Sequence, residues 1–417
     1  MARVAAQLTN FTAGELSPRL DGRNDLAKYS AGCATVENMV IYPHGAAARR
    51  PGTQFVASVK TPAAKTRLIP FEFSTEQTYI LEFGNQYIRF YRNNGQIESS
   101  GSAYEISTPY LTAELFDIKF AQSADVMYIT HPNHQTRKLS RTGHTSWTLA
   151  AVEFTNGPFL DSNITTTTLT PASAGVGTGV NVTASAVTGI NGGSGFLTTD
   201  VGRQIRIGDG YGIITARTNT TVVVVTVTTA FANANANSDW SLGSFSTTTG
   251  FPSCVSFFEQ RLVFAASINN PQTVYFSKSG DYENMDANIG GTVADDDAII
   301  YTIASNQVNA IRFLTSARTL IIGTAGGEFV VSGGGDNNAV TPTNIMIKKQ
   351  SNHGAANVDA ISVGNATLFL QRAKRKIREL AYNFDVDGYI APDLTILAEH
   401  ITEGNVVEMA YQEEPLA

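Results

Sequence analysis

Apolar positions along the chain fall into short runs, some alternating with polar residues and some continuous, and polar turns separate them. Runs of this length and composition are typical of β-strands rather than helices. They recur in groups about 50 residues apart, except that about 85 additional residues separate the second group from the third. The first run of each group begins at Leu68, Ile118, Val255, Ile311, Ile361 and Met409.

Each group repeats one internal plan. A first strand leads through a polar turn to a very apolar second strand, such as Leu320–Gly323, and then to a third, such as Glu328–Val331. A repeat of about 50 residues with several strands per unit predicts a β-propeller, because one small sheet cannot bury both of its faces alone. An array of β-sandwiches, whose strands also come at short spacing, is the alternative.

Residues 165–237 depart from this plan. They are rich in Thr, Ala, Gly, Val and Asn, and Gly208-Asp209-Gly210 between two apolar runs predicts a hairpin. The segment resembles a small β-module named after a half-domain of the ubiquitin-activating enzyme. It contains no cysteine, so the resemblance implies no thioester chemistry. We interpret it as a barrel-like β-domain inserted in a loop of the propeller.

The first 60 residues have a mixed character. Leu26, Tyr29, Cys33 and Val36 recur at three- and four-residue spacing and predict one short helix over 24–38. We therefore predict an all-β chain in four parts. These are an N-terminal arm (1–60), propeller units (61–160), the inserted β-domain (161–246) and further propeller units (247–417), the sixth cut short after Met409.

Composition narrows the possible partners. The formal charge of the 417 residues is −7, and a protein that grips nucleic acid by its phosphates is normally basic. A weakly acidic surface still lets DNA slide past without sticking. Cys33 and Cys254 are too few for a disulfide framework, so buried thiols and folding in a reducing cytoplasm are expected. The sequence contains no run of about 18 apolar residues, so no membrane-spanning helix is expected.

Candidate chemistry is sparse. Asp295-Asp296-Asp297 is the sharpest polar cluster, but its spacing is not that of a known calcium loop, so a capping or solvated loop is favoured over a metal site. The histidines lack a metal-binding spacing, and the turn from His131 to His134 is interpreted as exposed rather than ligating. No nucleophile with a base is evident, so no catalytic residue and no cofactor is predicted.

Basic residues are the candidates for contacts between subunits. On a strand, alternate residues of the run from Arg372 to Arg378 would share one face. For this basic run we favour two interpretations over DNA binding. It contacts an acidic neighbouring subunit, or its charges keep the edge of a sheet from pairing with another strand. Arg49 and Arg50 precede a Pro-Gly turn and are suited to bidentate pairing across a subunit boundary. The candidate set is Arg19, Arg23, Arg49, Arg50, Arg372, Lys374, Lys376 and Arg378.

Three blocks of sequence resemble one known family. They are GELSPRLDGRNDLAKYSAG with PHGAAARRPGTQFV, then FPSCVSFFEQRLVFAAS with TVYFSKSGDYENM, then DDDAIIYTIAS with VNAIRFLTSARTLIIGTAGGEFVVSG. In order and spacing these blocks are similar to tail nozzle proteins of short-tailed bacteriophages, also called tail tubular protein B or stabilisation protein. The resemblance covers most of the chain except about residues 160–245.

The resemblance implies a structural virion protein and not an enzyme. Such a subunit forms a homohexameric ring below the tail adaptor protein, lines the distal conduit for DNA ejection, and binds tail fibres or spikes. Genomic DNA passes through without sequence-specific binding. The expected location is the virion tail, and the host cytoplasm during assembly.

A propeller that hydrolyses or binds carbohydrate is the alternative function. A glycoside hydrolase needs two carboxylates paired at one site. Glu82, Glu328 and Glu379 lie in or beside predicted strands, but the sequence assigns no pair among them.

Overall fold

The computed structural model describes residues 8–304, 309–335 and 338–412, and strands dominate them. In these ranges there is no α-helix, and none of the helical segments is long and apolar enough to cross a membrane. The helical segments are short 3₁₀ turns: Pro18–Leu20, Tyr29–Ala31, Thr112–Asp117, Asn191–Gly193, Thr198–Asp200 and Phe384–Val386.

Contacts divide the chain into two compact units. One runs from Ser58 to Asp359, and the other combines the residues up to Ala57 with those from Ala360 onward. We call them the body unit and the terminal unit.

The body unit contains four antiparallel sheets in which strands adjacent in sequence are adjacent in space. Sheet 1 comprises Arg67–Ser74, Gln77–Gly84, Tyr87–Arg92 and Glu105–Ser107, with Gly95–Gln96 on the third strand; a small hairpin, Glu98–Ser99 with Ser102–Ala103, follows that strand. Sheet 2 comprises Lys119–Ser123, Val126–His131, His134–Gly143 and Ser146–Ala151. Sheet 3 comprises Cys254–Phe258, Arg261–Ala265, Thr273–Phe276 and Ile299–Thr302, and sheet 4 comprises Ile311–Ser316, Leu320–Thr324, Gly327–Gly333 and Ile345–Ser351.

The first strands of these sheets lie side by side. The Gln122 side chain in sheet 2 accepts a hydrogen bond from Glu72 N at 3.0 Å and donates one to Glu72 O at 2.7 Å, which joins it to sheet 1. The hydroxyls of Ser256 and Ser316 lie 2.8 Å apart and join sheets 3 and 4. The first strands of sheets 2 and 3 are also in contact. Adjacent first strands with successive strands outside them are the blade arrangement of a β-propeller, so the predicted all-β, propeller-type fold is confirmed.

The repeat predicted from the sequence matches the strands closely. The expected starts at Leu68, Ile118, Val255, Ile311 and Ile361 lie within one residue of the observed first strands. The apolar pattern locates them because alternate side chains are buried, as in Arg67–Ser74. The sixth start is wrong, since Met409–Gln412 form no strand, and residues 413–417 lie outside the described ranges.

The inserted segment forms a six-stranded antiparallel sheet around its own hydrophobic core. In spatial order the strands are Leu169–Pro171, Gly177–Ala184, Val222–Thr229, Gly210–Arg217, Gln204–Ile207 and Trp240–Leu242. The expected hairpin is present, because Ile207 pairs with Gly210. Leu169 exchanges two hydrogen bonds of 2.9 Å with Asn237, just before the strand at the opposite edge. The sheet therefore curls toward closure, as the barrel-like prediction requires.

The chain enters and leaves the inserted sheet at adjacent points. Phe159 and Gly243 form an antiparallel bridge, and Ser244 N donates to Pro158 O at 2.7 Å. Adjacent ends are what an insertion in a surface loop requires.

The terminal unit holds a fifth antiparallel sheet and two small strand pairs. Sheet 5 comprises Ile361–Val363, Ala366–Leu370, Ile377–Asn383 and Gly388–Ile390 in that order. Gly14–Glu15 pairs in parallel with Gly32–Cys33, and Met39–Ile41 pairs antiparallel with Ala47–Arg49.

The predicted helix over 24–38 is too long. Only the 3₁₀ turn Tyr29–Ala31 forms, because the next residues pair with Gly14–Glu15 as a strand. Gly32 lies so close to Leu16 that an added Cβ would stand 2.3 Å from its Cδ1. The apolar spacing in this stretch therefore reflects packing of a turn and a strand.

Candidate functional site

A cleft in the terminal unit brings the arm against the turn of sheet 5 that follows Leu370 and against the segment 397–403. Basic and acidic side chains both line the cleft, and most of the basic ones belong to this turn of sheet 5. The cleft is lined by Ser17, Pro18, Arg19, Gln371, Ala373, Arg375, Lys376, Glu399, His400 and Glu403.

Two contacts fasten the arm at this cleft. Ser17 N donates to Leu397 O at 2.8 Å, and the Glu15 carboxylate lies 2.8 Å from His400 Nε2. Glu15 also accepts a hydrogen bond of 2.6 Å from Val36 N. The Val36 N–H, and then the His400 side chain, lower the pKa of Glu15 below its ordinary value of 4.5. The carboxylate is therefore held in its charged form.

Ion pairs line the rim of the cleft. Arg19 pairs with Glu399 at 2.5 Å although its side chain is 80% exposed, and Arg375 pairs with Glu403 at the same distance. Such exposed pairs stabilise a fold by about 1 kcal/mol or less, because water and salt screen them. They are accordingly available for exchange with charges on another molecule.

The basic run does not form one strand face, contrary to the prediction. Its first residues make a turn in which Lys374 adopts φ +59°, and strand Ile377–Asn383 begins only after Lys376. Arg372 is exposed in that turn, and Lys376 pairs with Asp393 at 2.9 Å. Arg378 alone lies in the strand; half-buried, it donates to Gln371 Oε1 at 3.0 Å and to Ala391 O at 2.6 Å.

The other arm candidates lie outside the cleft. Arg23 pairs with Asp25 at 2.7 Å, and Arg50 Nε donates to Asn38 Oδ1 at 2.7 Å. Arg49 ends its strand on the exposed surface. The structure therefore brings Arg19 and Lys376 together with Arg375, which the sequence did not single out. A subunit contact through any of these residues stays a prediction.

An exposed apolar hairpin in sheet 5 was missed. The strands Ile377–Asn383 and Gly388–Ile390 are joined by a 3₁₀ turn whose Phe384 is 87% exposed. Val386 and Ile390 are exposed beside it, and Gly388–Ile390 is the edge strand of the sheet. Apolar side chains next to an open strand edge favour contact with another molecule. The signal in the sequence was the run Tyr382–Ile390, which places apolar residues in a turn.

A second missed feature is a histidine cluster in the body unit. His131 ends one strand of sheet 2 and His134 begins the next, so the two residues pair directly across the turn. His134 Nε2 lies 2.9 Å from Glu114 Oε2, which the 3₁₀ turn Thr112–Asp117 supplies. His131 is 2% exposed, so the interpretation of this turn as solvent-exposed is wrong for it. Among the described residues, this is the group of His, Cys, Asp and Glu whose spacing could hold a metal ion.

The triple aspartate serves a different purpose. Its loop wraps the buried Arg261, which donates to Asp295 O at 2.7 Å and to Asp297 O at 2.6 Å. The Asp297 carboxylate accepts from Ala294 N at 2.8 Å and pairs with Lys278 at 2.8 Å. These contacts fit the capping loop expected from the sequence.

The three glutamates considered for carbohydrate hydrolysis lie in three different sheets. Glu82 in sheet 1 is buried and accepts hydrogen bonds from the hydroxyls of Tyr87 and Tyr91. Burial, and then the Glu82 contact, raise the pKa of Tyr91 to about 12. Glu328 in sheet 4 is buried and accepts from Ser351 Oγ, whereas Glu379 belongs to sheet 5.

No protein-family model and no curated protein matches the chain. Among solved structures, a protein from Lactobacillus plantarum is similar over 77% of this chain and 82% of its own, with 9% identity and a TM-score of 0.33. YCF48 bound to D1 peptide matches over 78% of this chain and 83% of its own, with 8% identity and a TM-score of 0.31. The phage phi92 endosialidase matches over 80% and 55%, with 10% identity and a TM-score of 0.26. Similarities this remote add nothing to the fold described above and carry no function.

Proposed function

We propose that this chain is a structural subunit of the tail nozzle of a short-tailed bacteriophage. In this proposal six copies form a ring that binds the tail adaptor protein and tail fibres or spikes, and the ring lines the distal DNA-ejection conduit without catalysis. The order and spacing of the three sequence blocks support the proposal. The propeller-type fold with an inserted β-domain is compatible with it.

The observation that carries self-assembly is the exposed hairpin of sheet 5. Phe384 and Val386 present large apolar side chains to solvent, and the neighbouring strand Gly388–Ile390 lies at the edge of its sheet. Monomeric proteins cover or charge such edges. A ring covers them, because its heterologous interface places one patch of a subunit against a different patch of the next.

The charge of the chain supports a conduit rather than a nucleic-acid clamp. The net charge of −7 opposes tight binding to phosphates, and the basic residues of the cleft are paired with Glu399, Glu403 and Asp393. Such a subunit lets DNA pass without holding it.

The test is the mass and shape of the purified particle. Light scattering and negative-stain imaging of the protein, alone and with its adaptor, should show rings of six subunits. The change Phe384→Glu should weaken ring formation, whereas Ile164→Glu in the inserted segment, at a residue 98% exposed, should not. A wild-type protein that stays monomeric with the adaptor present contradicts the proposal. If that monomer binds or cleaves glycans, the carbohydrate alternative replaces it.

A further inference from the structure

We propose that Glu114, His131 and His134 form a binding site for a divalent transition-metal ion of the Zn²⁺ type. The site lies at the turn between the second and third strands of sheet 2. It is independent of the proposed nozzle function, because it uses no residue of the terminal unit.

The three side chains converge from two elements. One ring nitrogen of each histidine and one carboxylate oxygen of Glu114 all lie within 4.8 Å of one another. The imidazole rings are 4.9 Å apart between centroids. Glu114 is oriented by Leu111 N, which donates to its Oε2 at 2.9 Å. A ligand that is itself hydrogen-bonded is typical of metal sites.

Unsatisfied polar atoms give a second, independent indication. His131 is almost fully buried, yet its Nε2 has no hydrogen-bond partner among the described residues. Tyr110 is fully buried, its hydroxyl is likewise without a partner there, and its ring packs against both histidines. Buried polar atoms in folded proteins are normally paired, and an absent ion or water is a common reason when they are not. A cation with a bound water would satisfy these atoms.

The donor set selects the class of ion. Two imidazoles with one carboxylate are the protein ligands of open zinc sites, in which water occupies the fourth position. Imidazole also suits copper, nickel and iron, whereas calcium and magnesium prefer oxygen ligands. Among these ions we expect Zn²⁺ to be the one that binds to the two histidines and the glutamate.

Binding would rearrange the cluster slightly. Metal–ligand bonds of about 2.0–2.2 Å in a tetrahedral arrangement place two ligand atoms of one ion roughly 3.3–3.6 Å apart, so His134 Nε2 and Glu114 Oε2, now 2.9 Å apart, must separate slightly to admit the ion. The ion replaces the hydrogen bond between His134 and Glu114. Coordination by His131 Nε2 places the ring proton on Nδ1, so the 3.2 Å hydrogen bond from Asn133 N is given up.

The ion would act as a structural clip. Glu114 comes from the segment that precedes sheet 2, whereas the histidines flank a turn inside it. Coordination would tie this segment to the turn, which already bonds to the chain after the inserted sheet through Phe251 N and Pro132 O at 3.0 Å.

The experiment uses the full chain, free of any affinity tag and stripped with a chelator. Zn²⁺ is titrated by calorimetry, and Co²⁺ is used as the spectroscopic probe. We expect one ion per chain, a higher melting temperature with Zn²⁺, and Co²⁺ absorption typical of four-coordinate nitrogen and oxygen ligation.

His131→Gln and, separately, Glu114→Gln should weaken Zn²⁺ binding by more than ~10-fold and abolish the zinc-dependent rise in melting temperature. The control is His144→Gln, which changes a histidine at another turn of the same sheet that contacts Tyr79 at 2.6 Å. Two variants are used so that one that fails to fold leaves the other informative. Failure of the wild type to bind Zn²⁺, or equal binding by a folded Glu114→Gln or His131→Gln variant, overturns the proposal.

Discussion

Glu15 and His400 are 385 positions apart in the sequence, and their side chains meet at 2.8 Å. Because the Val36 N–H also donates to this carboxylate, Glu15 joins three segments of the terminal unit. The arm therefore belongs to the packing of this unit, and charge holds part of that packing in place.

Stability at the arm should depend on pH through Glu15. Its pKa is lowered in the folded state, so its contribution is present above the ordinary value of 4.5 and is lost as the pH falls through the folded value. Glu15→Gln should reduce the free energy of unfolding by about 1 kcal/mol at pH 7. The difference in stability between the wild type and Glu15→Gln should narrow as the pH falls below 4.5. A gap that stays constant over this range would mean that the charge of Glu15 is irrelevant.

Charge reversal at Arg49 and Arg50 should weaken ring assembly and leave the fold intact. Both residues are exposed, and the Arg50 side chain donates to Asn38 Oδ1 at the surface, so Arg49→Glu with Arg50→Glu should change stability by less than about 1 kcal/mol. Sedimentation with and without adaptor measures assembly. The matched control is Lys348→Glu with Lys349→Glu, which changes the net charge equally at exposed positions of sheet 4. If both double variants assemble into rings equally well, Arg49 and Arg50 do not take part in the subunit contact.

Removal of the inserted sheet should leave a folded body. Deleting 160–242 joins Phe159 to Gly243, which already form a bridge. It removes hydrogen bonds that Gln204 makes with Phe154 O and Gly157 N, that Arg203 donates to Gly243 O, and that Asp200 accepts from Thr248. We expect cooperative unfolding with a loss of about 1–3 kcal/mol.

A shorter deletion, 165–237, is the control for that result. It retains Trp240–Leu242 but removes the partner strand Gln204–Ile207, and so exposes the Trp240 side chain. This variant should be the less soluble of the two. If both deletions lose cooperative unfolding, the inserted sheet is part of the body's core.

Arg261 should be among the most sensitive positions of sheet 3. It is buried and donates to the main-chain oxygens of Ser277, Asp295 and Asp297, so Arg261→Met leaves these oxygens without their donor. We expect a loss of about 2–5 kcal/mol in denaturant unfolding. The control Arg23→Met, at an exposed residue, should leave the free energy of unfolding nearly unchanged. Equal effects would show that the loop is held by other contacts.

The sequence located the sheets well because burial alternates along their strands. In Arg67–Ser74, Ile69 and Phe71 are buried while their neighbours are exposed, and such alternation is visible in one dimension. The same alternation gave a wrong prediction for the basic run from Arg372 to Arg378. Lys374 adopts a left-handed backbone conformation that interrupts the strand, and lysine is not a residue type from which that conformation is expected.

The histidine cluster was hidden for a different reason. His131 and His134 are three positions apart in a stretch that the sequence assigns to a turn, and the hairpin around that turn is what places the rings together. Glu114 reaches them from a separate element. The available signal was two histidines flanking a two-residue turn between apolar strands, because such residues pair directly across a hairpin.

The contact between Glu15 and His400 also has a consequence for synthesis on the ribosome. At about 5–20 residues per second, some 385 residues take roughly 20–80 s to be added. During that time the arm has emerged while the segment that holds it does not yet exist. Sheets 1 to 4 pair strands that are adjacent in the sequence, so each can form soon after its own strands have been synthesised. The arm is thus the stretch that a chaperone would meet unpaired on the nascent chain.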